Sequence, residues 1–506
     1  MARLTVKVRR VTLYSKGGGK PGGGSQATGG RINYVRKPLV FVESLGHTHC
    51  MDAEACYRAA SARDARFDGV FFTAVRTTRI FCRPVCPART PLRKNVEFFF
   101  NASAAQAAGY RPCLRCRPEV SPDLPVWAGT STTVNRALRL IEEGALDRGS
   151  TAELAGRLGL TDRHLRRLFL EHVGAPPVVV AQTRRTLFAK RLITETSLPF
   201  SEIAFESGFA SLRRFNEAMR AVYRRNPKEL RRRTAATAPG ESGIELRLHY
   251  RPPYDWTAFL AFVGPRAIPG LEEVGPDCYR RTGIHVRHAG AGNSVIARIE
   301  PESPRSLRRI ADRARLFFDL RANSQEIGSQ LAKSRLLKAI VKRRPGLRVP
   351  GCWDGFELAV RAMLGQQVTV KGATTLAGRL VARFGPPRAE VLADADLAAI
   401  GLPKGRAESM RGFARAVCDG RIGFDGEVSS GETIGRMCEL PGIGPWTANY
   451  IAMRALGDPD AFPASDLGLL KAAGIASAKR MEAIAEAWRP WRSYAAMYLW
   501  ESLRDR

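Results

Sequence analysis

No stretch of this chain stays apolar for the roughly 18 to 20 residues that a spanning helix requires. The N-terminus also lacks the apolar run and small-residue cleavage site of a secretory signal. Both absences predict a cytoplasmic protein with no membrane partner. Acid is scarce too: 48 aspartates and glutamates stand against 80 lysines and arginines, for a formal net charge of +32. That balance excludes an acidic scaffold. With no basic amphipathic helix or lipidation motif to favour a membrane surface, it points to nucleic acid, whose neutralised phosphates release counterions. Cysteine is sparse, ten in 506 residues, which argues against a disulfide framework and for metal or thiol chemistry wherever cysteines cluster.

The length is too great for one core and predicts three or four domains. Residues 1–50 contain "SKGGGKPGGGSQATGG" and have Glu43 as their one acid among nine lysines and arginines. They read as a disordered basic tail, with Met51 an alternative start. Residues 51–120 carry two cysteine pairs, and a linker rich in proline, serine and threonine occupies 121–131. Helical spacing with dense arginine fills 132–232, and a second linker follows at 233–242. The alternation in "IELRLHY" opens a mixed segment, 243–328, before helix signals dominate 329–506. The expected fold class is multidomain α+β: a small four-cysteine zinc domain, an all-α double helix-turn-helix, a mixed α+β subdomain and an all-α helix-hairpin-helix domain.

The pairs are Cys82-x3-Cys86 and Cys113-x2-Cys116, separated by twenty-six residues. Four thiolates at this spacing fit one tetrahedral Zn2+, the alternative being unconnected buried thiols. Arg79, Arg83, Arg89, Arg111, Arg115 and Arg117 crowd the pairs, as a site approached by DNA phosphate requires. "FTAVRTTRIFCRPVCPAR…GYRPCLRCRP" closely resembles the N-terminal zinc domain of the Ada-type alkylation-response proteins over about 51–120. The resemblance implies that Cys82 is both zinc ligand and acceptor of a methyl group from a DNA methylphosphotriester, with Cys86, Cys113 and Cys116 completing the site. It also implies a switch. Methylation removes one negative charge from the cluster, which weakens repulsion from the phosphate backbone. A purely structural zinc knuckle is the plainer alternative.

"STAELAGRLGLTDRHLRRLFLEHVG" reads as helix, turn at Gly159, and reading helix over Asp162–His172. "FSEIAFESGFASLRRFNEAMRAVYRRNPKEL" repeats the plan, with Gly208 at the turn and a second reading helix over Ser211–Tyr223. The tandem copy resembles the AraC-type transcriptional activators over about 132–232. Arg163, Arg166, Arg167, Arg213 and Arg214 are the candidates for groove or phosphate contact, with a solvated helix face as the alternative for each. Arg89 and Arg111 are the candidates near the cysteines.

"ELPGIGPWTANYIAMRAL" places a proline-glycine hairpin between helices. Gly442 and Gly444 would let a phosphate approach backbone amides at a helix start. With Asp466 twenty residues after Trp446, the segment resembles the helix-hairpin-helix DNA glycosylases. "YRPPYDWTAFLAF", "RPGLRVPGCWDGFELAVRAMLGQQVTV" and "WRPWRSYAAMYLW" narrow the resemblance to the AlkA-type 3-methyladenine DNA glycosylases over 243 to about 504. It implies a catalytic Asp466, an aromatic base pocket of Phe262, Trp446, Tyr450 and Trp500, and a Gly365–Val368 loop whose Gln367 probes the gap left by a flipped base. An electron-rich pocket suits cationic alkylpurines. Trp446 stands where bifunctional relatives carry a Schiff-base lysine, so no lyase step is expected. No cysteine follows Cys438, which argues against the iron-sulfur branch. The chain departs from the pattern at Leu467, often aromatic, and at Gln367, which can be leucine.

The Pro-Cys-His-Arg methyltransferase motif of typical Ada proteins is absent, and Cys278, Cys352, Cys418 and Cys438 are expected to be buried core thiols. The combined reading is a bifunctional adaptive-response protein: methylphosphotriester sensor, transcriptional activator and monofunctional glycosylase for 3-methyladenine and 7-methylguanine. Zn2+ is its one cofactor, double-stranded DNA and RNA polymerase are its partners, and a monomer is expected. Two rivals are a regulator with an inactive glycosylase-like domain and a repair enzyme whose helix-turn-helix pair adds only affinity.

Overall fold

The computed structural model describes residues 52–122, 132–231, 243–300 and 307–504. The basic tail, most of the 121–131 linker and the 233–242 linker lie outside the described residues. Among the described residues no helix is long and apolar enough to cross a membrane.

In the cysteine-bearing region, β-rich sequence around alternating phenylalanines forms a four-stranded sheet. Its strands β1 (Phe72–Val75), β2 (Ile80–Cys82), β3 (Val96–Phe99) and β4 (Arg111–Pro112) are ordered β3-β1-β2-β4, with β2 and β4 parallel. Phe72, Phe81, Phe99 and Tyr110 pack with the alanines of helix Ala102–Ala107 into a small aromatic core. That core is thin for a separate domain, so a bound metal is a natural second source of stability.

Next come the two helix-turn-helix copies. Ser150 and Glu153 form a capping box at the start of Thr151–Arg157, Gly159 turns the chain at φ +71°, and the reading helix occupies Asp162–His172 behind its cap Thr161. Val134, Leu140, Leu154, Leu165 and Phe169 close its core. The second copy places Gly208 at φ +83° between Phe200–Glu206 and the reading helix Leu212–Tyr223, capped by Ser211. Only glycine takes these left-handed turns without strain.

Between the copies runs the 19-residue helix Pro177–Glu195. Its buried residues include Thr183, Thr186, Lys190 and Arg191, because it is surrounded on several sides rather than facing water on one. Lys190 meets Glu119 at 3.3 Å and Arg191 donates to the Arg247 carbonyl at 2.5 Å. Arg184 reaches Glu142 at 2.7 Å, and Arg321 reaches the same carboxylate at 2.7 Å. Burial pushes the Glu142 carboxyl up, yet Arg184 and Arg321 hold it down at about 2. Arginine on this helix therefore knits regions together rather than facing DNA.

The mixed segment forms an antiparallel sheet of β5 (Ile244–His249), β6 (Glu272–Val274), β7 (Cys278–Arg281), β8 (Ile284–His288) and β9 (Ser294–Ile299), ordered β5-β9-β8-β7-β6. One hydrophobic cluster runs through Phe188, Ile203, Phe215, Tyr223, Leu246, Phe259, Tyr279, Phe317 and Trp353. The second helix-turn-helix and this sheet thus share a core, although a linker separates them in sequence. Leu114, between Cys113 and Cys116, packs on the same cluster. The remaining helices build two further cores on either side of the hairpin.

The expectation of four buried core thiols is corrected. Cys418 and Cys438 are exposed, as each ends a helix on its outer turn, and Cys278 and Cys352 are half-buried. Burial pushes the Cys352 thiol up to about 12, so it stays protonated.

Candidate functional site

The cysteines meet because two short stretches lie side by side. Cys82 ends β2, Cys113 follows β4, and the Cys113 N–H donates to the Phe81 carbonyl at 3.0 Å. All four Sγ atoms lie within 4.8 Å of one another. A Zn–S bond near 2.3 Å implies S···S edges of about 3.8 Å, so a slight contraction closes a tetrahedron and the donor set fits Zn2+. The amides of Arg83 and Arg115 point at Cys116 Sγ (3.3 Å) and Cys113 Sγ (3.4 Å), as thiolate acceptors require. Cys113 and Cys116 are buried, whereas Cys82 and Cys86 are half-buried and thus the accessible pair.

The arginines around the cluster divide into two groups. Arg83 is locked onto Asp68 and the Cys116 carbonyl, Arg117 onto Glu119 and Glu195, and Arg79 lies 4.4 Å over the Tyr110 ring. These three hold the protein together. Arg89 and Arg115 are exposed and Arg111 half-buried, leaving them as the cations a phosphate can meet. On the reading helices Arg163, Arg166, Arg167, Arg213 and Arg214 are all exposed. Arg166 is paired with Asp162 at 2.9 Å and Arg213 with Glu217 at 3.0 Å, one turn away in each case.

The structure gathers every expected pocket residue, with Phe262 reaching the helical half from helix Trp256–Val263 of the mixed segment. Asp466 caps helix Leu467–Ala473, its Oδ1 accepting from the Leu469 amide at 2.9 Å. Trp446 Nε1–H donates to Oδ2 at 2.8 Å and Trp500 Nε1–H to Oδ1 at 2.9 Å. Three donors from three segments therefore fix the carboxylate's orientation. Trp446 stacks on Tyr450, one turn on, with centroids 5.5 Å apart at 8°. Tyr450 meets Trp500 edge-on at 6.3 Å, and Phe262 lies 6.1 Å from Trp500. Leu467 is 82% exposed and turns away from this cluster.

The hairpin lies between helices Ser430–Cys438 and Pro445–Ala455, with Gly442 at φ +82°. A Cβ there would meet Ser409 Oγ at 2.4 Å, which requires glycine. Gln367 is exposed and held at φ +57°, a conformation non-glycine residues avoid and which concentrates at functional sites. Its neighbour Gln366 donates to the Gly442 carbonyl at 2.8 Å and to Thr447 Oγ1 at 2.9 Å, tying this loop to the hairpin.

Sequence reasoning missed Gln366 and two arginines. The Arg266 guanidinium lies 3.9 Å from the Phe262 centroid, and Arg454 Nη1 donates to the Tyr450 hydroxyl at 2.9 Å. Each lies four residues after a pocket aromatic, a spacing that puts both on that residue's face. The pocket is thus not simply electron-rich. Burial opposes ionisation of Tyr450, but Arg454 and Arg266 pull its pKa below the usual tyrosine value.

Three families match the chain: Metal binding domain of Ada at residues 55–119, Helix-turn-helix domain at 154–233, and AlkA N-terminal domain at 245–354. A Mycobacterium tuberculosis protein named probable bifunctional transcriptional activator/DNA repair enzyme AlkA is 42% identical over 480 residues, covering 89% of this chain and 97% of that protein. The chain belongs to this bifunctional AlkA family. An Escherichia coli DNA-3-methyladenine glycosylase 2 is 33% identical over 50% of this chain and 95% of its own length. The bifunctional activator/repair enzyme Ada of the same organism is 41% identical over 28% of this chain and 38% of its own length. In this member of the family the cysteine cluster holds one Zn2+.

Proposed function

We propose that the chain senses DNA methylphosphotriesters, activates alkylation-repair genes and excises alkylated purines from double-stranded DNA. The observation that carries the enzymatic half is the Asp466 carboxylate, held by the Trp446 and Trp500 indoles against an aromatic pocket.

On the sensor side, Zn2+ keeps its thiolate ligands deprotonated and electron-rich. Cys82 Sγ attacks the methyl carbon of a methylphosphotriester, the C–O bond breaks, and the phosphodiester anion leaves. Arg83, fixed by Asp68, holds the backbone beside Cys82 in place, while Arg89, Arg111 and Arg115 draw in the phosphate. The cluster then carries one negative charge fewer, and the methylated protein binds its promoter more tightly. Arg163, Arg166, Arg167, Arg213 and Arg214 contact the groove or its phosphates. Two reading helices in one chain supply what dimeric helix-turn-helix proteins need two chains for, so the protein acts as a monomer, in the cytoplasm, and recruits RNA polymerase.

On the repair side, Gly442 and Gly444 seat the backbone, Gln367 fills the gap left by the flipped base, and the base enters the aromatic pocket. Asp466 stabilises the positive charge that develops on the sugar and guides the attacking water. Trp446 offers no amine, so the strand is left abasic and uncut.

Release of free 3-methyladenine or 7-methylguanine from methylated duplex DNA tests the enzyme. A mass increase of one methyl group, mapped to Cys82 after exposure to the same DNA, tests the sensor. No released base would leave only a regulator, and a methyl group on Cys86 would reassign the acceptor.

A further inference from the structure

The base pocket has charge of both signs at defined places. Asp466 is bound by the Trp446 indole, while Tyr450, stacked on Trp446, is bound through its hydroxyl by Arg454. Arg266 covers Phe262 at 3.9 Å, and Arg454 lies 5.5 Å from the same ring. Arg454 also holds the carbonyls of Pro350 (2.8 Å) and Gly351 (3.1 Å), so its position is structural. Arg266 differs: it donates to the Phe262 carbonyl at 2.8 Å and meets the Tyr450 hydroxyl, two neutral oxygens, while Arg454 and Arg504 nearby are cations like itself. Burial lowers its pKa, yet a guanidinium remains charged in proteins. A cation held by neutral oxygens beside a pocket meant for a positively charged base looks like a mismatch.

It ceases to be one when the bond-breaking step is considered. Building on the glycosylase reading above, we propose that Arg266 is an electrostatic group of the reaction, placed so that the pocket's field drives positive charge from the base to the sugar. In an alkylpurine nucleotide the base starts with the positive charge. As the C1′–N9 bond breaks, its electron pair stays with the base, which becomes neutral, and the sugar becomes the cation. Water then adds to C1′ and loses a proton. Arg266 raises the energy of the charged base before cleavage, and Asp466 lowers that of the charged sugar during it. Both effects reduce the same barrier, and neither requires reorganisation, because packing has already fixed both groups. Phe262, already faced by a guanidinium, therefore serves as a shape-selecting wall more than as a cation receptor.

This account splits binding from rate in a way that a packing role would not. In the full-length protein, Arg266→Gln should slow single-turnover release of 7-methylguanine by about tenfold, the effect of about 1.4 kcal/mol on a barrier. Its preference for lesion-containing over undamaged duplex, measured by titration, should stay equal or rise, since a repulsive charge has gone. Arg266→Lys should retain most of the parental rate. An unchanged rate in Arg266→Gln would overturn the proposal. So would a Lys variant as slow as the Gln variant, because lost packing rather than lost charge would then explain both. Failure of the parental protein to release any methylated base is a different result and would overturn the glycosylase reading itself.

Discussion

The cysteine cluster and the carboxylate pocket are assembled on opposite plans. The cluster draws its groups from Cys82–Cys86 and Cys113–Cys116, two stretches joined by neighbouring strands, and a metal ion can complete the assembly. In the pocket, Phe262, Trp446, Tyr450, Asp466 and Trp500 come from separated segments, and Asp466 is held by two indole donors and one amide. A metal site thus tolerates a thin core around it, whereas an organic site needs the whole helical half packed before any group is in place.

If the two sites are chemically independent, each should be lost alone. Cys82→Ser should abolish methyl uptake, read by mass spectrometry, while leaving base excision intact; a parallel loss of excision would show that they are not separate. Asp466→Asn keeps nearly the same shape but removes the charge that the proposed mechanism sets against the developing sugar cation. Excision should fall by about 10² to 10³, the scale of losing one preorganised electrostatic group, with methyl uptake unchanged. Trp500→Phe removes one of the three donors to Asp466, and a drop of about tenfold in single-turnover rate is expected.

Smaller effects sharpen the contrast. Arg213→Ala and Arg214→Ala should each weaken promoter binding and reduce the slope of its salt dependence by about 1 if the residue meets a phosphate. Loss of binding to one base sequence alone would assign that arginine to a base edge. The smallest effect concerns the frame of the pocket. Asp319 accepts from Tyr494 on the last helix (2.9 Å) and from the Val349 amide (3.3 Å), and burial pushes its carboxyl up to about 6 against Arg348. A raised folded-state value favours folding while the group is protonated, and this contribution is lost as pH rises from the usual carboxylate range through about 6. Asp319→Asn should therefore raise the thermal midpoint near pH 8, with a gain that shrinks towards pH 5. Asparagine also accepts the positive φ of 49° found there.

Legibility in the sequence followed the same division. Cysteine spacing announced the metal, and the turn glycines Gly159 and Gly208 with their flanking periodicity gave both reading helices nearly to the residue. Asp466 and its aromatic set were reached through family resemblance, because aromatics at helical spacing look the same in a core as in a pocket. Arg266 and Arg454 are silent in the sequence, since one arginine among so many carries no signal until its neighbours are known. The arginine surplus points to a surface for DNA, yet Arg83, Arg117, Arg184 and Arg191 pair internally.

By itself the sequence determined what is local: the cysteine spacing that selects Zn2+, the caps and glycines that start and turn the helices, and the net charge that selects a polyanion. Each depends on residues a few positions apart, where backbone geometry leaves little choice. Tertiary structure alone decided which charges face water, that the second helix-turn-helix shares its core with the β5–β9 sheet, and that Arg266 and Arg454 join the aromatic cluster that holds Asp466. Those outcomes depend on desolvation and on through-space distance between segments far apart in the chain, and neither quantity exists until the segments have packed.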